Sequence, residues 1–306
     1  MFYSILKHII DPVFETKQME KNIIQKKYKL LGVLGKGQFG TVCKGLVLKT
    51  QEPVAIKLEP SSMQVISLRH ESMILRHLNN KRVSQIPQLY YYGPQDVYMC
   101  LVMTYYSEKS LDYYELELDH IYEWWTQACS ILKSVHEHGV IHRDIKPENI
   151  LIGPYGEVLL LDWGLAKVWH KNLLKIEDES EEAENDNEAG MTGEAKLQGT
   201  VMYMSPEQIA RDPEIGFQAD IYSLGAVLYE VLTGSTPFQG KIVRVLMDQI
   251  RSDLPNDAKK VGGGAVPNIL ADLAMQCLQK QPQHRPTCAA EIVRILKDDW
   301  APTDLT

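Results

Sequence analysis

The sequence predicts an α+β fold in which strands come first along the chain and helices dominate afterwards. The strands Tyr28–Leu34 and Thr41–Leu48 flank a glycine-rich stretch, which predicts an early hairpin. Two long apolar segments end at Gly139 and Gly234, and glycine is a common residue just after a helix. The 306 residues are enough for two lobes, each with its own apolar core.

The composition is that of a folded protein and excludes several classes of function. Apolar residues make up 44% of the chain. The sequence nevertheless contains no run of about 18 apolar residues, which is the length needed to cross a bilayer. Five scattered cysteines without metal-ligand spacing predict reduced thiols in an intracellular, cytoplasmic protein and no zinc site. The segment 177–188 holds eight carboxylates, so the other 32 acidic residues balance the 32 basic ones. A general basic field for nucleic acid is therefore not predicted.

A glycine-rich stretch follows the first predicted strand and has the spacing G-x-G-x-x-G. Its residues are Gly35, Lys36, Gly37, Gln38, Phe39 and Gly40. Dinucleotide-binding turns share this spacing but lead into a helix, whereas a second strand follows here. We therefore interpret the stretch as a hairpin whose backbone N–H groups close over phosphates. A plain glycine-rich hairpin is the alternative.

The next predicted strand, Pro53–Lys57, ends in a cation. An isolated lysine in a strand is usually a solvated edge charge. A carboxylate, Glu71, follows 14 residues later within Ser67–Leu78, where apolar residues at helical spacing predict one buried face. We favour an ion pair between Lys57 and Glu71, with a surface position for Glu71 as the alternative.

The segment Val140–Ile152 places a carboxylate, a cation and an amide between two apolar flanks. Asp144 is followed two residues later by Lys146 and five residues later by Asn149. These groups are a base, a phosphate ligand and a metal ligand, which are the parts that phosphoryl transfer requires. Farther along, an apolar strand ends in Asp162, a second candidate metal ligand.

Taken in order, these motifs resemble those of eukaryotic-type Ser/Thr protein kinases. The resemblance implies the bilobal protein kinase fold over residues 28–300. A small antiparallel β lobe with one main helix would span 28–104, and a larger, mostly helical lobe would span 105–300. Residues 1–27 would then be an N-terminal extension and 301–306 a tail.

The resemblance also implies a role for each polar residue of the site. Asp144 would orient or accept the proton of a Ser or Thr hydroxyl on a protein substrate, including the kinase itself, and Lys146 would neutralise the transferred phosphoryl group. Asn149 and Asp162 would hold two Mg²⁺ ions across the phosphates of ATP, and Lys57 would contact the α- and β-phosphates. We expect Lys57, Asp144 and Asp162 to be partly exposed.

A larger set of residues is expected to surround the nucleotide. Val42, Ala55 and Leu151 would sandwich the adenine, Met103 is the expected gatekeeper, and backbone groups at positions 104 and 106 would pair with the base. The full set is Leu34, Gly35, Lys36, Gly37, Gln38, Phe39, Gly40, Val42, Ala55, Lys57, Glu71, Met103, Thr104, Tyr106 and Leu151.

Different parts of the chain resemble different branches of the family. Residues 54–60 and 86–94 resemble the casein kinase one branch, whereas the closing motif 205–207 resembles general Ser/Thr kinases. Trp163 stands where the family usually has Phe. We expect its larger ring to pack against the helix that contains Glu71 and to bias the segment around Asp162 and Trp163 toward one conformation.

Two polar contacts are expected, by the same resemblance, to hold the large lobe together. Asp220 would cap the backbone of the loop that contains Asp144. Arg285 would form an ion pair with Glu207 at the end of the activation segment, residues 162–207. Ser205 precedes Pro-Glu in this chain, where Ala is commoner in the family.

Regulation is expected to involve the activation segment. Arg143 lies beside Asp144, and in related kinases a phosphate on this segment commonly neutralises that cation. Thr192 is the best acceptor, because its phosphate would bring a charge of about −1.5 to −2. Either the acidic run 177–188 replaces the phosphate, or it is a solvated loop and Thr192 must be phosphorylated. We favour the second hypothesis, because dense like charge without apolar anchors repels itself.

Two other functions compete with protein phosphorylation. A pseudokinase or scaffold usually lacks the strand lysine, the base or the metal-binding aspartate, and none of these is lost here. The acidic insert and Trp163 keep this alternative open. A small-molecule kinase of related fold is disfavoured by Gly199 and Thr200, which resemble the family's peptide-binding elements.

Overall fold

The computed structural model describes residues 23–36, 40–61, 67–107, 109–111, 118–169, 201–240, 242–262 and 266–299. These residues divide into two compact units. Unit 1 contains the described residues up to Leu68 together with Leu89–Tyr106, and unit 2 contains Arg69–Gln88 and the described residues from Ser107 onward.

Unit 1 is built on one antiparallel sheet of six strands in the order β1-β2-β3-β4-β6-β5. The strands are β1 (Ile23–Ile24), β2 (Tyr28–Lys36), β3 (Thr41–Val47), β4 (Pro53–Pro60), β5 (Leu89–Gln95) and β6 (Tyr98–Thr104). The predicted early hairpin is therefore present as β2 and β3. The sheet begins five residues before Tyr28, because the short strand β1 pairs with the start of β2.

The core of unit 1 lies on one face of this sheet, as the two-residue period of strands requires. It consists of Ile24, Tyr28, Cys43, Val54, Ile56, Leu58, Cys100 and Val102. The hairpin turn between β1 and β2 also contacts the edge strand at the other end of the sheet. The Gln25 backbone N–H donates to Gln95 Oε1 at 3.2 Å, and Gln25 Nε2 donates to the Pro94 carbonyl at 3.4 Å. These bonds bring the two edge strands of the sheet together.

Unit 2 is mostly helical. Its helices are α1 (Ser67–Asn80), of which the first two residues belong to unit 1, α2 (Leu118–Glu137), α3 (Pro206–Ile209), α4 (Gln218–Thr233), α5 (Val243–Ser252), α6 (Ala258–Gly262), α7 (Asn268–Cys277) and α8 (Ala289–Asp299). The central helix α4 is buried on nearly all sides and packs against α2, α6 and α7. It ends where the sequence predicts, because Gly234 adopts the left-handed conformation (φ 71°) that stops a helix.

Short strands of unit 2 position the loop around Asp144. They are β7 (Lys109–Ser110), β8 (Val140–Ile141), β9 (Ile150–Ile152), β10 (Val158–Leu160) and β11 (Lys167–Val168). β8 pairs with β11, and β9 lies between β7 and β10. The loop is thus held at both ends by buried strands, as its apolar flanks predict.

Most of α1 and the segment that follows it belong to unit 2 and are hydrogen-bonded to the rest of that unit. The His77 Nε2 atom lies 3.0 Å from the His138 carbonyl, and His70 Nε2 is hydrogen-bonded to the Ala166 carbonyl. The Gln85 side chain donates through Nε2 to the Val158 carbonyl at 2.8 Å, and the Gln85 backbone carbonyl accepts the N–H of Leu160. The predicted lobe boundary at residue 104 stays a prediction.

The predicted α+β class is confirmed, with antiparallel strands in the first part of the chain and helices in the second. All five cysteines are free. Burial raises the pKa of Cys43 to about 11 and that of Cys100 to about 12, so these thiols are poor nucleophiles. In the described part of the chain no helix combines the length and the apolar character needed to span a membrane.

Candidate active site

The predicted catalytic loop, residues 142–149, begins directly after β8 and ends in a 3-10 turn. That turn comprises Pro147–Asn149, and proline at its first position provides the required φ without sacrificing a hydrogen bond. The turn leads straight into β9. Residues only two to five positions apart are therefore folded back toward one another.

Asp144 is the acceptor at the centre of this loop. Lys146 Nζ donates to both of its carboxylate oxygens, at 3.0 Å and 2.8 Å. Asn149 Nδ2 donates to Asp144 Oδ2 at 2.9 Å and to the Asp144 carbonyl at 2.8 Å. The structure thus brings together the three polar groups of the predicted loop. Only 7% of Asp144 is exposed, so the expectation of a partly exposed carboxylate is wrong for this residue.

The surroundings of Asp144 shift its proton affinity. Burial raises the pKa of its carboxyl above the ordinary value of 3.8, and the negative charge of Asp162 acts in the same direction. The ammonium group of Lys146 opposes this shift. A carboxylate with a raised pKa is a better proton acceptor than an ordinary aspartate.

His142 is fully buried and its tautomer follows from its two partners. The Asp144 backbone N–H donates to His142 Nδ1 at 3.2 Å, so this nitrogen carries no proton. His142 Nε2 then donates to the Leu161 carbonyl at 2.9 Å. His142 therefore connects the peptide of Asp144 to the residue that precedes Asp162.

Asp220 anchors the loop from helix α4, as predicted. Its carboxylate accepts the backbone N–H groups of His142 and Arg143, each at 2.8 Å. His136 Nε2 donates to the same carboxylate at 2.8 Å. Although burial acts to raise it, the pKa of Asp220 is lowered because these hydrogen bonds stabilise the charged form. The predicted cap is confirmed, and His136, which the sequence did not single out, is part of it.

Asp162 lies at the exposed end of the strand-to-turn segment that follows β10. Its φ of 61° is in the left-handed region, where an aspartate is tolerated better than most residues. A Cβ added to Gly164 would lie 3.6 Å from Asp162 Oδ1 and 4.0 Å from Glu71 Oε2. The carboxylates of Asp162 and Glu71 therefore both lie close to Gly164. The predicted ion pair between Lys57 and Glu71 stays a prediction.

The chemistry of Asn149 and Asp162 fits the Mg²⁺ that the resemblance to protein kinases implies. Asn149 donates both of its hydrogen bonds to Asp144 through Nδ2, so its Oδ1 is the side-chain oxygen that could bind a cation. Among the described residues no group of three or more His, Cys, Asp or Glu side chains is placed to hold a metal. Mg²⁺ bound to a nucleotide needs only one or two protein ligands, because phosphates and water supply the rest.

Trp163 is fully buried and its indole has two defined neighbours. The Nε1–H donates to the Leu160 carbonyl at 3.3 Å, which supplies the partner that an indole N–H requires. Its ring meets His142 edge-on, with centroids 4.6 Å apart. Packing of this ring against the helix of Glu71 stays a prediction.

The change Trp163→Phe is expected to keep turnover within about tenfold of wild type, or about 1.4 kcal/mol. It removes one hydrogen bond and some buried volume but leaves Asp162 in place. Initial rates and melting temperature check this. Trp125→Phe is the matched control, because Trp125 is also fully buried but lies in α2, where it should affect stability alone. Complete loss of turnover in the Trp163 variant alone would contradict a packing role.

In unit 1, four of the predicted nucleotide-contacting residues share one face of the sheet. Val42 lies directly opposite Lys57, and Ala55 lies directly opposite Met103. Ala55 and Lys57 are two residues apart on β4 and therefore point away from the core face. A cation thus lies beside a patch of apolar side chains, which suits a nucleotide with a flat base and a charged tail.

The remaining residues predicted in unit 1 lie at the ends of its strands. Leu34 is half exposed on β2, Thr104 ends β6, and Tyr106 follows it. A Cβ at Gly40 would lie 2.2 Å from the Leu58 carbonyl oxygen, so only glycine fits at this position. In unit 2, Leu151 is buried in β9. The side chain of Lys36 and residues 37–39 lie outside the described part of the chain.

The predicted ion pair between Arg285 and Glu207 is confirmed. Nη1 and Nη2 of Arg285 donate to the two carboxylate oxygens at 2.6 Å and 2.9 Å. Its other three N–H groups donate to backbone carbonyls of Gln218, Gln279 and Lys280, so all five are used. This buried pair fixes the start of α3, at the end of the activation segment.

Sequence reasoning missed Gln208 at the start of α3. Ser205 and Gln208 form a capping box, in which each side chain accepts the backbone N–H of the other residue. The S-x-x-Q pattern is a signal that would have predicted this box. The activation-segment residues 170–200 lie outside the described part of the chain, including the acidic run 177–188, Thr192, Gly199 and Thr200.

Comparisons with known proteins agree with this geometry. The family model for the protein kinase domain matches residues 28–301. A probable serine/threonine-protein kinase of Clostridium perfringens is 30% identical over 284 residues, which cover 89% of this chain and 38% of that protein. The serine/threonine-protein kinase PknD of Protochlamydia amoebophila is 35% identical over 195 residues, covering 62% of this chain and 19% of the relative.

A third relative is the serine/threonine-protein kinase PknB of Mycobacterium tuberculosis, 38% identical over 167 residues, which cover 54% of this chain and 24% of that protein. The chain thus spans less than two fifths of the length of each of these relatives. The finer likeness of residues 54–60 and 86–94 to the casein kinase one branch stays a prediction. The family match covers most of the chain, and this chain therefore belongs to the protein kinase domain family.

Proposed function

We propose that this domain transfers the γ-phosphoryl group of Mg-ATP to Ser and Thr hydroxyls of protein substrates, including itself. The observation that carries the proposal is the buried carboxylate of Asp144, held by Lys146 and Asn149 with the charge of Asp162 nearby. A base, a cation and two oxygen ligands for a metal are the set that phosphoryl transfer uses.

In the proposed reaction, Asp144 orients the substrate hydroxyl and accepts its proton as the oxygen attacks the γ-phosphorus. The bond from that phosphorus to the β,γ-bridging oxygen breaks, and ADP leaves. Lys146, already beside Asp144, offers positive charge to the transferred group. Asn149 and Asp162 hold Mg²⁺, which when bound neutralises charge on the phosphates. Lys57 contacts the α- and β-phosphates.

The alternative, a pseudokinase that binds nucleotide without efficient catalysis, has less support. Such domains usually lack the base, the strand lysine or the metal-binding aspartate, and Asp144, Lys57 and Asp162 are all present here.

Incubation of the purified chain with labelled ATP, Mg²⁺ and generic protein substrates tests the proposal. Phosphate is expected on Ser and Thr, and Asp162→Ala and Lys57→Met should abolish most of the transfer with retention of the fold. Substrate peptides from a degenerate library would then identify the preferred sequence. Equal incorporation by wild type and the Asp162→Ala variant would reject the assignment.

The activation segment provides a prediction about regulation. Deletion of 177–188 is expected to leave basal activity nearly unchanged, because a dense run of like charge stays solvated. Thr192→Ala is expected to lower activity several-fold, because the phosphate that would neutralise Arg143 can no longer form. Initial rates of both variants at low and high salt measure this. A collapse on deletion without any effect of Thr192→Ala would instead favour the acidic run as the substitute for phosphate.

A further inference from the structure

The side chain of Gln208 uses both ends of its amide. Its Oε1 accepts the backbone N–H of Ser205 at 3.0 Å, which completes the capping box of α3. Its Nε2 donates to the carbonyl of Arg143 at 2.8 Å, 65 residues earlier in the chain. The first contact is local to the helix, whereas the second reaches the catalytic loop at the residue next to Asp144.

The residue that Gln208 contacts has a strained backbone. Arg143 has a φ of 67°, in the left-handed region that a long side chain seldom adopts. Such strain persists only where the surroundings hold it in place. The Arg143 N–H donates to Asp220 Oδ1 at 2.8 Å, and its carbonyl accepts from Gln208. Each polar group of this residue's backbone is thus held by a side chain from a different helix.

The orientation of Asp144 depends on this backbone. The carbonyl of Arg143 and the N–H of Asp144 belong to the same peptide group, and that N–H donates to His142 Nδ1. A rotation of the peptide would therefore break both bonds and turn the Asp144 side chain relative to Lys146 and Asn149. Of the contacts on this peptide, the one from Gln208 comes from α3, where the activation segment ends.

We propose that Gln208 is a positioning residue that holds the peptide before Asp144 and thereby connects the end of the activation segment to the proposed base. The inference rests on the proposed phosphoryl-transfer function. A local role, as the capping residue of α3 alone, is the competing explanation. The two roles use different ends of the amide, so substitutions can separate them.

Gln208→Glu is the separating variant. Glutamate keeps the capping box, because S-x-x-E caps a helix as S-x-x-Q does, but its carboxylate cannot donate to the Arg143 carbonyl. Gln208→Met removes the same donor without adding charge, and it also removes the acceptor for the Ser205 N–H, so Gln208→Glu remains the variant that separates the two roles. The reverse control is Ser205→Ala, which removes the side chain that caps α3 but keeps the Gln208 amide; alanine is also the residue commoner in the family at that position.

Both Gln208 variants are expected to lower kcat by about tenfold, because small misplacements of a catalytic group are costly. The KM for ATP should stay close to that of wild type. Ser205→Ala should lower the melting temperature but leave kcat near the wild-type value. Hydrogen exchange of the peptide 140–149 should accelerate in Gln208→Glu and not in Ser205→Ala, because the N–H groups of Arg143 and Asp144 lose their fixed geometry.

Wild-type kcat in Gln208→Glu would overturn the inference, as would an equal loss of kcat in Ser205→Ala. An inactive wild-type protein would refute the proposed function instead. The exchange measurement does not need activity, so unchanged exchange over 140–149 in Gln208→Glu would overturn the positioning role even in that case.

Discussion

Asp144→Asn is expected to lower kcat by about 10² to 10⁴-fold, the range that general base catalysis contributes. Asparagine has nearly the same shape but cannot accept the hydroxyl proton. Its NH₂ group is a donor and would face two other donors, since Lys146 and Asn149 both donate to the carboxylate in the wild type. The KM for ATP should change little, because Asp144 is proposed to act on the hydroxyl and not on the nucleotide. Steady-state kinetics with a peptide substrate measure both quantities.

Stability and pH dependence distinguish this result from unfolding. The pKa of Asp144 is higher in the folded protein than in the unfolded chain. Its charged carboxylate therefore lowers the stability of the fold at high pH. This loss of stability disappears as the pH falls and the carboxylate takes up a proton. Asp144→Asn removes this loss of stability but places an NH₂ group against the donors of Lys146 and Asn149, so it should melt close to the wild-type temperature at neutral pH. Activity should fall as the pH drops through the raised pKa, because the base must be ionised. A variant with wild-type kcat would refute the assignment of Asp144 as the base.

Arg285→Lys is expected to destabilise the fold by several kcal/mol, because each buried acceptor left without a donor costs about 1 to 3 kcal/mol. Lysine keeps the charge but has three donors on one atom, so it cannot match the two oxygens of Glu207 and three backbone carbonyls together. The Arg285 side chain is fully buried, so no water can replace the missing donors. The melting temperature should fall by roughly 10 °C.

Arg251→Lys is the matched control for this variant. Arg251 also pairs with a carboxylate, Asp248, but their side chains are 50% and 56% exposed. Exposed pairs contribute less than about 1 kcal/mol, so the melting temperature should hardly change. Similar small effects of the two substitutions in thermal unfolding would show that burial of the Arg285 pair adds no stability.

Much of the candidate site could be predicted because its polar residues are close in sequence. Asp144, Lys146 and Asn149 fall within six residues that begin after a strand and contain a proline turn, and so short a loop has few ways to fold. The helix ends were also predictable, because glycine commonly follows the last residue of a helix. Gly139 and Gly234 both adopt the positive φ that this role requires. The anchor from Asp220 and the pair of Arg285 with Glu207 were predictable only through the family resemblance.

Sequence alone thus determined the order of the elements, the family and the chemical identity of the groups around Asp144, because these depend on local spacing. Only the tertiary structure decided that Asp144 is buried, that His142 connects the Asp144 peptide to Leu161, and that Gln208 reaches Arg143. These properties depend on which surfaces of separate helices pack together, and residues 65 to 78 positions apart have no spacing rule that relates them. Burial in particular sets the proton affinity of Asp144, because the cost of removing a charge from water depends on every neighbour around it.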